Sequence, residues 1–205
     1  MKRKLNVRRM TQLSLLLAIV LIMAFTPLGY LATPWGVNIT FIVIPVAVGS
    51  IVLGPGCGAF LGLVFGITSF INAPRSPMGA AMLQISIVRT MFGCIFPRVL
   101  VGLVPGLIYS LLKNSSTALR TTGQAVCCLL TPLLNTAFFM SVSWLIFSDY
   151  WLSAATSTGY TGQGGWGLLG FMFASVAVNG IAEAIASLLI GTAICKALIH
   201  TFGNK

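Results

Sequence analysis

Five side chains interrupt otherwise apolar stretches of this sequence with a charge or an amide: Arg89, Arg98, Asn135, Asn179 and Glu183. An arginine brings a fork of donors that suits an anionic group, a carboxylate only accepts, and an amide does both. Together they make a binding chemistry. A catalytic chemistry is missing. There is no Ser/His/acid set, no HExxH, no aspartate pair and no phosphate-binding Gly-Lys loop. The lone histidine, His200, lies near the C-terminus, and the only acid besides Glu183 is Asp149. No catalytic residue and no ATP hydrolysis by this chain are therefore expected. Cys57, Cys94, Cys127, Cys128 and Cys195 show no CxxC spacing and are odd in number, so they read as small apolar residues. Neither a metal site nor a cofactor is expected.

The surroundings of these groups decide what they cost. The chain has 205 residues, 57% hydrophobic and 7% charged, with a mean hydropathy of +0.99. So little charge cannot cover a water-facing surface, and lipid is the implied solvent. A single membrane domain over residues 1–205 has room for roughly six helices of about 20 residues. A net charge of +10 suggests nucleic acid in a soluble protein. Here the bases sit at the ends of apolar runs with no aromatic-basic interleave, so no nucleic-acid partner is expected. The N-terminal run resembles a signal peptide in charge order, but it continues into Pro27 and Gly29 with no Ala-x-Ala site, and is expected to be a retained first span.

Six spans are predicted, at about residues 11–30, 39–53, 57–71, 82–112, 123–147 and 168–199. The fold class is an all-α membrane bundle. Pro97 and Pro105 interrupt the fourth span, residues 72–79 read as a loop by their Pro and Gly content, and 149–167 reads as the longest loop. With a cytoplasmic N-terminus, nine bases (Lys2, Arg3, Lys4, Arg8, Arg9, Lys113, Arg120, Lys196 and Lys205) fall inside and only Arg75 outside. That imbalance places both termini in the cytoplasm. Trp35, Trp144, Trp151 and Trp166 gather at the outer ends of spans, as an interfacial belt or as part of an outward-facing cavity. Gly54, Gly58, Gly62 and Gly66 put a smooth strip on the third span, a surface for close helix packing inside the bundle.

Depth along these spans, at about 1.5 Å per residue, brings the polar groups to one level. Arg98 on the fourth span, Asn135 on the fifth, and Asn179 and Glu183 one turn apart on the sixth all fall near the midplane. An uncompensated Arg or Glu there costs at least about 3 kcal/mol, so each must face the bundle interior or water. Two arrangements satisfy that demand: an Arg98–Glu183 ion pair that locks helices together, or a polar wall around a ligand cavity. Arg89, nine residues before Arg98, lies about 180° around a straight helix and nearer the outer surface. Only a bend at Pro97 would let both arginines share one cavity.

Taken in order, Thr26-Pro-Leu-Gly-Tyr30, Ile44-Pro-Val, Leu53-Gly-Pro, Gly58-Ala-Phe-Leu-Gly-Leu-Val-Phe-Gly66, Pro97-Arg98, Asn135-Thr136 and Asn179-Gly-Ile-Ala-Glu183-Ala span most of the chain. In these the sequence resembles the membrane-embedded substrate-binding subunits (S components) of energy-coupling factor vitamin transporters, and most of all their pantothenate-type branch. The resemblance implies a prokaryotic plasma-membrane protein of six helices with cytoplasmic termini. It implies a small vitamin bound toward the outer side beneath three outer loops. The implied partners are a coupling membrane protein and two cytoplasmic ATPases.

For a pantothenate-like ligand, Arg98 or Arg89 would meet the carboxylate, and Asn135, Asn179 and Gln84 the polar groups. Glu183, Asn38 and Trp35 complete the candidate substrate-binding set, with outer tryptophans over the methyl groups. The family docks its coupling protein on a small-residue motif of the first helix, often Ala-xxx-Ala, which reads Ser14-Leu-Leu-Leu-Ala18 here. Other anionic vitamins or precursors suit the same residues. A self-sufficient carrier or channel would favour inverted repeats, and no convincing duplication is visible. A structural assembly factor would have no ligand cavity.

Overall fold

A computed structural model describes residues 7–32, 38–112, 116–157 and 165–203. Its elements are α1 (Val7–Phe25), the strands β1 (Tyr30–Ala32) and β2 (Asn38–Thr40), α2 (Val43–Leu53), α3 (Pro55–Asn72), a 3-10 turn (Ala73–Arg75), α4 (Pro77–Ile85), α5 (Ile87–Leu112), α6 (Thr117–Ile146), α7 (Ser148–Ser157), α8 (Gly165–Ala186), a π-helical turn (Ser187–Gly191) and α9 (Thr192–Gly203). Five helical segments are long and apolar enough to cross a membrane: Val7–Phe25, Pro55–Arg75, Ile87–Leu112, Leu119–Ile146 and Asn179–Leu198. Their outer faces carry Leu15, Ile22, Phe92, Leu111, Leu145 and Leu189, all exposed. Such surfaces are stable only against lipid.

The expected second span is the main departure. Its first residues form β2 and a turn, antiparallel to β1 with Tyr30 opposite Thr40 and Ala32 opposite Asn38. What remains, α2, is 11 residues long, about 16 Å, against a hydrocarbon core of about 30 Å. Ten of its residues are buried. An apolar run without a polar face belongs inside, and α2 occupies the bundle centre. Around it pack Val20, Leu61, Phe65, Cys127, Cys128 and Cys195.

Other boundaries shift for local reasons. Ser76 accepts a hydrogen bond from the Gly79 N–H at 3.1 Å with Pro77 behind it, a capped helix start inside the expected 72–79 loop. The expected fourth span breaks at Ser86, which is extended, so α5 begins at Ile87. It then runs unbroken through Pro97 and Pro105. The expected 149–167 loop contains α7 over its first part.

The glycine strip is consumed within the bundle. A β-carbon at Gly58 would run into the Gly102 carbonyl, at Gly62 into the Arg98 carbonyl, and at Gly66 into the Ile95 backbone. α3 and α5 therefore touch backbone to backbone at the level of Arg98. Gly54 plays another part: with φ at +93° it makes the turn into α3, where Pro55 takes the first helical position.

Two ties fix the ends of the bundle. Arg9 donates to the Leu53 carbonyl at the C-terminal end of α2. At the opposite end, the Asn72 amide donates to Ala24 O at 2.9 Å and Thr68 O at 3.0 Å, joining α3 to α1. A second apolar cluster of Met78, Met82, Met140, Phe147, Trp151 and Val176 fills that second end. Trp151 is thus a core residue rather than part of a belt.

Candidate functional site

The proline of the Pro97-Arg98 pair has no N–H, so the carbonyl of Gly93, four residues earlier, loses its helical partner. Arg98 fills the gap: its Nη1 donates to Gly93 O at 3.0 Å. The guanidinium then lies over the Phe139 ring, 4.5 Å from its centroid, and 5.7 Å from that of Phe65. It is 9% exposed, and its Nε has no hydrogen-bond partner among the described residues. One arm is held while another donor is left available.

Glu183 is arranged the same way with the opposite polarity. Its Oε1 accepts from the backbone N–H of Thr40 at 2.6 Å, tying α8 to the hairpin. Its Oε2 is buried without a hydrogen-bond partner among the described residues. The Asn135 amide and the Arg98 charge both act on this carboxylate, yet the described hydrogen bonds of Arg98 and Glu183 do not join the two to each other. This is a polar wall, not a clasped pair. Asn135 Oδ1 is likewise buried without a hydrogen-bond partner among the described residues.

These groups line one cavity of about 120 Å³, roughly eight to twelve times what a single water needs. Tyr30 and Thr40 come from the hairpin, Ser69 and Asn72 from α3, Thr90 and Arg98 from α5, Asn135 and Thr136 from α6, and Asn179 and Glu183 from α8. Met78 and Met82 of α4, Phe139 and Met140 of α6, and Val176 of α8 form an apolar side. Burial raises the Tyr30 pKa above its ordinary value, with the Arg98 charge opposing, so the phenol stays a neutral donor. Such a cavity suits a small amphipathic molecule with an anionic group, polar groups in the middle and an apolar part.

Of the residues singled out from sequence, Arg98, Asn135, Asn179 and Glu183 meet on this cavity. Gln84 and Arg89 do not: both are exposed, outside its lining. The break at Ser86 puts Arg89 in the first turn of α5, where it is exposed, while Arg98 on the same unbroken helix is buried. Asn38 lies on β2, paired with Ala32, and its side chain is outside the described residues, as is Trp35 altogether. Ser14 and Ala18 are exposed on α1. Sequence reading missed Tyr30, Thr40, Asn72 and the three methionines. The first three lie at or beside the ends of predicted spans, where polar residues are ordinary, and methionines carry no polar signal in an apolar chain.

Comparison with known proteins agrees with this architecture. Residues 8–195 match the family model of the ECF transporter, substrate-specific component. The chain is 30% identical over 190 residues to the pantothenate transporter PanT of Leuconostoc mesenteroides subsp. mesenteroides, an overlap covering 89% of this chain and 88% of that protein. It is 29% identical over 196 residues to the pantothenic acid transporter PanT of Lactococcus lactis subsp. cremoris, covering 91% and 90%. The chain belongs to the family of ECF transporter substrate-specific components. With its five membrane-capable helices it is a multi-pass plasma-membrane protein.

Proposed function

We propose that this protein captures pantothenate from outside the cell and hands it to an energising module for import. The observation that carries this reading is the buried Arg98 guanidinium, pinned by one arm beside a small cavity with a second donor unpartnered. The two relatives at about 30% identity bear pantothenate in their names. Pantothenate has one carboxylate, an amide, two hydroxyls and two methyl groups. Its carboxylate pairs with Arg98, Asn135 and Asn179 hold the amide and neighbouring oxygens, and Met78, Met82 and Met140 receive the methyl groups.

In this reading the chain is a single membrane domain with both termini cytoplasmic, and α2 is a sixth, half-length helix buried at the bundle centre. The described bases agree with that orientation: Arg8, Arg9, Arg120 and Lys196 belong to the end of the bundle away from the cavity. The cavity then faces outward. The exposed α1 face with Ser14 and Ala18 docks a coupling membrane protein that carries two ATPases, and reorientation against that partner delivers the vitamin inward. Calorimetric titration of the purified protein with a panel of vitamins tests the assignment. Saturable one-to-one binding, tightest for pantothenate, is expected. No binding, or tighter binding of another vitamin, rejects it.

A further inference from the structure

The two charged groups on the cavity wall have opposite vacancies. Among the described residues, Arg98 Nε is a donor without an acceptor, and Glu183 Oε2 is an acceptor without a donor. Glu183 is 5% exposed, and buried acceptors are almost always satisfied by something. Its other oxygen is fixed by the Thr40 N–H, which holds the carboxylate in place. A carboxylate oxygen cannot be satisfied by another anion or by an ether; it takes an O–H or N–H.

We propose that Glu183 is the specificity-determining residue for the hydroxylated end of the ligand: its Oε2 accepts a hydrogen bond from a ligand hydroxyl. This inference rests on the proposed function and deepens it. Pantothenate carries both hydroxyls at the end away from its carboxylate, so an acid group read by Arg98 and hydroxyls read by Glu183 fix its direction. The acid end lies toward Arg98 and the hydroxyl end toward Glu183. A second carboxylate in place of the hydroxyls is repelled, and a bare hydrocarbon end leaves Oε2 unpaired. The site therefore selects hydroxylated monocarboxylates over dicarboxylates and over plain acyl acids of the same length.

Because Glu183 also holds β2, replacing it changes more than one contact, and the test uses a ratio rather than an absolute affinity. Pantothenate and its analogue with both hydroxyls replaced by hydrogen are titrated calorimetrically into the purified full-length protein and its Glu183→Leu and Glu183→Gln variants. In the unsubstituted protein, loss of the hydroxyls is expected to weaken binding about ten- to hundredfold. In Glu183→Leu that preference falls below about threefold, because the charged acceptor at that position is gone. Glu183→Gln keeps an acceptor for Thr40, loses the charge, and shows a preference reduced to a fraction of the original. An undiminished hydroxyl preference in the variants, or its absence in the unsubstituted protein, overturns this inference alone. Failure of the unsubstituted protein to bind pantothenate overturns the proposed function, and this inference with it.

Discussion

Arg98 works because of its neighbour. Pro97 removes one N–H from α5, and the freed Gly93 carbonyl becomes the anchor for the adjacent guanidinium. Pro97→Ala restores that N–H, which competes for Gly93 O and releases the arginine. We expect pantothenate affinity to fall about three- to tenfold in calorimetry, with the neutral alcohol analogue affected less. An equal loss for both ligands would mean that the substitution reshapes the helix without acting through Arg98. At this scale the sequence was informative wherever burial is costly. Arg98, Asn135, Asn179 and Glu183 stand out because lipid penalises them, and helical rise places them in one layer. Arg89 and Gln84 carried the same chemical signal but not the same position. The extended Ser86 between them starts a new helix, and Arg89 then sits at an exposed helix start rather than in the wall.

The helices hold the site by unusually close contact and by side chains that repair proline gaps. Gly62 faces the Arg98 carbonyl, where a β-carbon has no room, while Gly56 on the same helix has open space around it. Gly62→Ala is expected to destabilise the protein by about 1–3 kcal/mol, seen as a lower melting temperature in detergent and weaker ligand binding. Gly56→Ala should leave both unchanged or raise the melting temperature slightly. Pro132 frees the Cys128 carbonyl as Pro97 frees that of Gly93, and Ser187 of the π-helical turn donates to it at 2.7 Å. Ser187→Ala removes that donor and should cost about 1–3 kcal/mol in thermal unfolding. The four-residue glycine spacing made the close face of α3 legible in advance. The hairpin and the half-length α2 were not, because a buried apolar run looks alike as a strand, a short helix or a full span.

For the whole molecule, capture and energised transport separate onto two surfaces. The cavity lies at one end, among the hairpin, α4 and the ends of α3, α5, α6 and α8. Ser14 and Ala18 lie on the exposed side of α1, whose buried residues Leu16, Val20 and Ala24 face the core instead. Ser14→Trp should therefore abolish ATP-driven pantothenate uptake in vesicles reconstituted with the energising module, while calorimetric affinity stays within about twofold of the original. Loss of both together would place ligand and partner on the same surface. The central claim is that one arginine, and not its exposed neighbour nine positions earlier, recognises the acid group of pantothenate. Side-by-side titration of Arg98→Ala and Arg89→Ala tests it most directly. The account predicts at least about a hundredfold loss of affinity for the first and near-unchanged affinity for the second; intact binding in Arg98→Ala, or loss in Arg89→Ala alone, would contradict it.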